Sequence, residues 1–274
     1  MSTYYLTDRV TRSLALTHTE VLSTVDLFVG MMEEATGVLK EAAAYCPSVS
    51  VMKKWLDDHP QEKEGYIHTM IQRKVTTELE KVVDEAICYM QRYNQIFLNE
   101  GHLLKALCKS NHPYWLSFVH ECTIPIEKIV ACTIYARNLA RSLHHLSWSV
   151  RSNEIKRATY SEKEEVLAFI RTNFSREWAE TVSEAFTNEV IPLFLAKKQT
   201  KLIGFAVYDT YEKRSQHFGP MGVLRSERKR GIGEQLVTCC LQDMKAKGYE
   251  SVIFYEAGPI EFYEKVCGAE LLPQ

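Results

Sequence analysis

The hydrophobic period of this chain changes once, near residue 140, and that change most constrains its fold. Before it, apolar residues recur at helical spacing. Leu79, Val82, Val83, Ala86, Ile87 and Met90 fall at i, i+3, i+4, i+7, i+8 and i+11, an amphipathic stripe. After about residue 153, apolar runs of strand length alternate with helical stretches, which calls for an α/β domain with a mixed sheet. Two domains follow: an all-α N-terminal one over 1–145 and an α/β one over 146–274. No Gly/Ser-rich linker separates them, and the junction is expected between Arg141 and Asn153.

The helical half is internally repeated. Thr7, Val10 and Leu14 match Thr76, Leu79 and Val83 in spacing, and Leu27, Phe28 and Met31 match Leu103, Leu104 and Leu107. The offset differs between the two sets, which predicts a shorter connection between the first two helices of the first repeat. Asn99 is a candidate N-cap, and Pro113 and Pro125 can each open a helix.

In the second half, Ile155–Ala158 predicts a short strand. Ser161-Glu162-Lys163-Glu164 has the form of a capping box. Leu193–Ala196 and Leu202–Tyr208 flank a polar turn and predict a hairpin, and Phe218–Leu224 a third strand. A helix follows on Ile232, Leu236, Val237, Cys240, Leu241 and Met244, stopped by Gly248. Val252–Tyr255 has the composition of a fully buried strand, and Pro259 opens a last helix ending near Cys267-Gly268.

Between the third strand and its helix stands Arg228-Lys229-Arg230-Gly231-Ile232-Gly233. This order places backbone N–H groups at a helix N-terminus, where they can hold an anion. The run is neither a G-x-G-x-x-G dinucleotide fingerprint nor a P-loop. Gly231 and Gly233 let the backbone approach a phosphate closely. Arg225, Arg228, Lys229 and Arg230 either add charge to that site or form a solvated basic rim.

Two resemblances rest on these residues. Arg228, Gly231 and Gly233 occupy the positions of the Arg/Gln-x-x-Gly-x-Gly/Ala acyl-CoA loop of the GNAT superfamily of N-acetyltransferases. The segment Glu261-Phe262-Tyr263-Glu264-Lys265-Val266-Cys267-Gly268-Ala269 resembles that superfamily's late motif. The resemblance runs from about residue 153 to the C-terminus and implies a mixed, splayed sheet. It implies acetyl-CoA as co-substrate, with its pyrophosphate at Arg228, Lys229, Arg230, Gly231, Ile232 and Gly233. The strand backbone around Met221 and Val223 would meet the pantetheine arm, and an amide near Met221 would polarise the thioester carbonyl. The tandem helical units, with Asn99-Glu100-Gly101-His102-Leu103-Leu104, resemble the Clp N repeat domain of Clp-type ATPases over about 5–140. That implies either a surface for a protein partner or a packing element. Where some members of that family carry an acid that holds phosphoarginine, this sequence has Gly101 and Val25, with Glu100 and Asp26 displaced by one.

Acetylation of an amine needs a route for its proton, a polarised carbonyl and a protonated leaving sulfur. Glu256, at the end of the Val252–Tyr255 strand, is the candidate base. Tyr263 in the late motif is the candidate acid toward sulfur, because phenol and thiol pKa values of ~10 and ~8.5 are close; Tyr255 is the alternative. The wording around His217–Val223 and Ala257–Tyr263 resembles a bacterial GNAT subset, some of whose members act on cell-wall amino sugars. Relatives often continue past the position of Gln274, so the far acceptor wall is expected to be incomplete or supplied by the helical half.

The leading expectation is an N-acetyltransferase acting on a primary amine, with a small molecule or amino sugar favoured over protein. The alternative is a non-catalytic CoA-binding adaptor whose helical domain holds a partner. The formal net charge of -2 gives no electrostatic reason to expect nucleic acid. No apolar run approaches the roughly 18 residues of a membrane span, and no signal-peptide pattern opens the chain, so a cytoplasmic location is expected. The eight cysteines form no C-x-x-C pair and no zinc spacing, so no metal is expected and the thiols are expected reduced and packed. His144 and His145 are expected to be ordinary junction residues.

Overall fold

A computed structural model describes residues 4–60, 64–134, 137–144, 146 and 155–273. His145 and most of the expected junction lie outside the described residues. The chain divides into two compact units, 1–136 and 137–274.

The first unit is helical: α1 (Asp8–Ala15), α2 (Thr24–Glu34), α3 (Val38–Ala44), α4 (Val49–Asp58), α5 (Thr77–Arg92), α6 (Glu100–Leu107), α7 (Pro113–Glu121) and α8 (Ile126–Ile134). Its repeat is visible in the caps. Thr7 accepts from the Val10 amide and Thr76 from that of Leu79, while Ser23 and Asn99 each form a capping box. The repeats differ in helix length, not in the connection: α5 has 16 residues against 8 for α1. Two-residue strands add to the helices. β1 (Tyr5–Leu6) pairs in parallel with β5 (Phe97–Leu98), and β2 (Val21–Leu22) with β4 (Lys74–Val75); β3 (Tyr66–Ile67) lies antiparallel on β4. The strand before the first helix of each repeat thus pairs with the strand before the second helix of the other.

Phe28 packs edge-on against Trp115 and Phe118, with centroids 5.3 and 5.8 Å away. A buried Arg9 joins the repeats, donating to Glu100 at 2.5 Å and to Thr36 Oγ1 at 3.0 Å. Asp26 accepts from the Ser23 amide at 2.8 Å. Glu100 and Asp26 therefore face the interior, where Arg9 and Ser23 engage them.

The second unit holds β6 (Arg137–Ser142), β7 (Ile155–Arg157), β8 (Leu193–Lys198), β9 (Lys201–Tyr208), β10 (His217–Val223), β11 (Ser251–Ala257) and β12 (Glu270–Leu271) in one sheet, ordered β12-β6-β11-β10-β9-β8-β7. Among its pairings β10–β11 is parallel and the others antiparallel. The parallel step needs a crossover, and α11 (Ile232–Ala246) supplies it. On that face Leu236, Cys240, Leu241 and Met244 pack with Phe218, Phe254 and Tyr263, the last carried by α12 (Ile260–Cys267). On the other face, α9 (Lys163–Asn173) and α10 (Arg176–Ser183) bury Val166, Ile170 and Val182 against Leu195, Phe205 and Val207.

Three sequence readings change here. β6 was expected in the helical domain, whose boundary was placed at 145/146. Instead it pairs with both β11 and β12, so the boundary falls at 136/137 and this earlier strand occupies the sheet position between them. The capping box sits two residues earlier than expected. Thr159 and Glu162 form it around a 3-10 turn, with the Thr159 amide donating to Glu162 at 2.8 Å. Val252–Tyr255 alternates between buried and half-buried residues, because one of its faces is only partly covered.

Candidate active site

β10 and β11 pair only at His217–Ile253 and Phe218–Phe254 among the described residues. Beyond that point each strand has an irregularity. The β10–β9 register shifts between Phe218 and Met221, at Gly219-Pro220, and the β11–β6 register shifts between Phe254 and Ala257. Met221, Gly222 and Val223 then pair with β9 alone, which leaves their β11-facing backbone edge outside the strand ladder. The sheet is splayed at this point. The Val223 carbonyl accepts from Arg228 Nε at 3.0 Å, so it is already engaged by the loop.

The loop after β10 is built to present amides. A 3-10 turn over Arg225–Glu227 uses up the local bonds, with the Glu227 amide donating to the Leu224 carbonyl at 2.9 Å. Lys229 and Gly231 then both take left-handed conformations, at φ 64 and 76. Glycine adopts this geometry without strain; lysine does so at a cost of about 1 kcal/mol or more. Gly231 is the N-cap of α11 and no side chain caps that end, so the first-turn N–H groups and the helix dipole face outward together. Gly233 has a different reason to be glycine. A Cβ there would lie 3.3 Å from Phe262 Cζ, so this residue sets the close crossing of α11 and α12.

The four cations are not equivalent. Arg228 is half-buried and tied to Val223, and burial together with Arg225 holds its pKa below the usual arginine value. Arg230 pairs with Glu227 at 2.9 Å, and Lys198 reaches the same carboxylate at 3.4 Å. Lys229 is exposed on the strained backbone. Ile232 is buried as the first residue of α11.

Tyr263 is buried between Phe254 and Phe218, with ring centroids at 4.7 and 6.0 Å. Burial pushes its phenol well above the ordinary value, with Cys267 and Cys240 adding to the effect, so the proton stays on. Glu256 is exposed, with φ 47, and its amide donates to Asn138 Oδ1 at 2.9 Å. A left-handed glutamate at a strand bulge is the type of backbone outlier that concentrates at functional positions. The loop residues and Met221 thus gather at the splayed end of β10. Tyr263 lies under the sheet and Glu256 at the end of the neighbouring strand.

Sequence reasoning missed Phe174, Asn138 and the cluster of Arg157 and Tyr208 on Asp243. Phe174, between α9 and α10, presses on Gly222, where a Cβ would meet its ring at 2.5 Å. Asn138 comes from β6, whose sheet position no local pattern reveals. Arg157 and Tyr208 both donate to Asp243, tying β7, β9 and α11 together. The only local signal for any of them is Gly222, a glycine inside a strand pattern.

Cys240 is fully buried and its thiol is pushed far up, while Cys46 and Cys108 are pushed up to about 12, all chiefly by burial. Such thiols are packing elements rather than nucleophiles. Among the described residues, no group of three or more His, Cys, Asp or Glu could hold a metal ion, and no helix is long and apolar enough to cross a membrane.

Several solved structures are similar to parts of the chain. A glucosamine N-acetyltransferase region of a fungal multi-domain GH3 β-N-acetylglucosaminidase is 20% identical, with 50% of this chain and 19% of that one covered and a TM-score of 0.41. A GCN5-related N-acetyltransferase from Sphaerobacter thermophilus is 17% identical, with 50% and 49% covered and a TM-score of 0.40. The N-terminal domain of the ClpD chaperone from Arabidopsis thaliana is 11% identical, with 47% and 92% covered and a TM-score of 0.36. The chain thus spans about a fifth of the length of the first and about half of the second. No curated protein matches the sequence. Residues 140–269 match the acetyltransferase (GNAT) family, and over that span the chain carries a GNAT acetyltransferase domain.

Proposed function

We propose that the protein transfers an acetyl group from acetyl-CoA to a primary amine. The observation that carries this reading is the splayed end of β10 set beside an uncapped helix N-terminus. The residues suit the co-substrate. The outward amides of α11 and the left-handed turn at Lys229 and Gly231 match a pyrophosphate. The unpaired edge at Met221 offers backbone groups to an amide-bearing arm and a donor to a developing oxyanion. A small-molecule amine, including an amino sugar, is the favoured acceptor.

Transfer makes one N–C bond and breaks one C–S bond. The acceptor ammonium loses two protons overall. Glu256 takes one and passes it to solvent; Tyr263 gives its proton to the departing sulfur, and the second proton lost by the amine restores the Tyr263 phenol by way of solvent. Burial keeps the Tyr263 phenol protonated and ready to donate. It also makes the phenol a weaker acid than a free one, so it serves a thiolate already forming rather than initiating the step.

The test is a screen of primary amines with acetyl-CoA, comparing Glu256→Gln and Tyr263→Phe with the native chain. Turnover that falls at least tenfold in either variant, with CoA binding retained, supports the roles assigned. CoA binding with no turnover on any amine would favour the adaptor reading, in which the helical unit engages a protein partner.

A further inference from the structure

β6 and β11 do not run residue for residue. Leu139 faces Phe254 and Arg137 faces Ala257, so between those pairs Asn138 alone stands opposite both Tyr255 and Glu256. This is a β-bulge, in which the extra residue loses its partner in the ladder and the strand re-aims a side chain. Tyr255 is held by its ring, which lies 4.6 Å from that of Tyr211. Glu256 takes left-handed backbone, at φ 47, and its amide donates to Asn138 Oδ1 at 2.9 Å. The asparagine side chain thus stands in for the ladder carbonyl that the bulge moves out of register.

Asn138 is itself fixed from the other side. Its carbonyl accepts from the Leu272 amide at 2.9 Å, next to the β6–β12 pairing. The buried Arg137 donates to the Leu272 carbonyl at 3.2 Å. A glutamate in left-handed backbone is strained, and such a conformation persists only where its surroundings over-determine it. Asn138, anchored on β12, is the group that does so here. The match to the GNAT family begins at residue 140, so this asparagine lies outside the matched span.

We propose that Asn138 is a positioning residue for the reaction: its side chain holds the Glu256 backbone in the left-handed turn and so sets where the carboxylate stands. The proposal rests on the acetyl-transfer reading, in which Glu256 is the base. Without the bond to Asn138, residue 256 relaxes toward the extended backbone that a strand residue prefers, and its carboxylate swings with it. A base displaced by about 1 Å loses much of its rate, while CoA still binds at the N-terminus of α11.

The test is a double-mutant cycle of Asn138→Ala and Glu256→Gln in the full chain. Its readout is kcat on the amine that the native chain acetylates fastest in the primary-amine screen. CoA affinity and the hydrogen exchange of the Glu256 amide are measured on the same samples. Asn138→Ala is expected to lower kcat about tenfold, with CoA affinity within about twofold of native. Exchange of the Glu256 amide should become at least about threefold faster. In Glu256→Gln the same change is expected to alter kcat less than about twofold, because the carboxylate it positions is already gone. If Asn138→Ala does not fold, Asn138→Ser, whose side chain stops one atom short of the amide, takes its place. Unchanged exchange, unchanged kcat in the single variant, or a tenfold loss that persists in Glu256→Gln would overturn the positioning role alone. No turnover of any amine by the native chain would overturn the acetyl-transfer reading, and the positioning role with it.

Discussion

Replacing Gly222 by alanine tests how the site strand is held. A Cβ at this position would sit 2.5 and 2.6 Å from Phe174 Cε1 and Cζ, and 2.9 Å from Phe205 Cε1. Real carbon contacts lie near 3.5 Å or beyond, so about 1 Å must be found. Phe205 is fully buried and cannot yield. Phe174 is half-buried, between α9 and α10, and stacks on Trp178 at 5.7 Å, so it must swing out and give up that contact. Overpacking of this size costs about 2 kcal/mol. Phe174→Leu alone is expected to cost about 1 kcal/mol through lost aromatic packing. Combined, the two changes should cost less than their sum by about 1 kcal/mol, since the smaller side chain leaves room for the new methyl. Urea unfolding of the four proteins, with equal slopes, gives the coupling directly. Additive losses would refute the claim that Phe174 is what requires glycine at 222.

Three further outcomes follow from single residues. His102 is buried beneath the Asn99 cap and desolvation holds its pKa down to about 4, so the folded state favours the neutral ring. Stability is full above the unfolded value of ~6.5 and falls as pH drops toward about 4, by roughly 2–3 kcal/mol; this loss should shrink in His102→Gln when both are followed by urea unfolding from pH 7 to pH 4. Asp243→Ala removes the acceptor shared by Arg157 and Tyr208, and a loss of about 2 kcal/mol is expected, with Asp243→Asn milder. Gly233→Val should disturb the crossing of α11 with Phe262 and lower thermal stability by a few degrees, whereas Gly248→Asn, at φ 87 with nothing near its Cβ, should stay within about 1 kcal/mol of native.

What the sequence made legible is what local periodicity encodes. α5, α11 and the β8–β9 hairpin follow from apolar spacing and glycine punctuation, and the Arg228–Gly233 loop stands where strand meets helix. β6 was not legible. Residues 137–142 contain only Leu139 and Ala140 as apolar positions, and nothing nearby says that the segment inserts between β11 and β12. Register of that kind is a long-range choice. Tyr211 and Tyr255 are likewise 44 positions apart, and they meet only because the β9–β10 connection folds over the sheet. Gly231 and Gly233 looked alike in sequence, yet one serves a left-handed turn and the other a helix crossing.

Calorimetric titration of CoA into the full chain tests the central claim most directly, using Gly231→Val and Gly231→Asn beside the native protein. Gly231 sits at φ 76, where a β-branched residue is strained by roughly 1–2 kcal/mol and asparagine is tolerated. The account predicts saturable CoA binding in the native chain, an affinity at least about tenfold weaker with valine, and affinity within a few-fold of native with asparagine. No binding at millimolar CoA, or equal affinity in all three proteins, would contradict it.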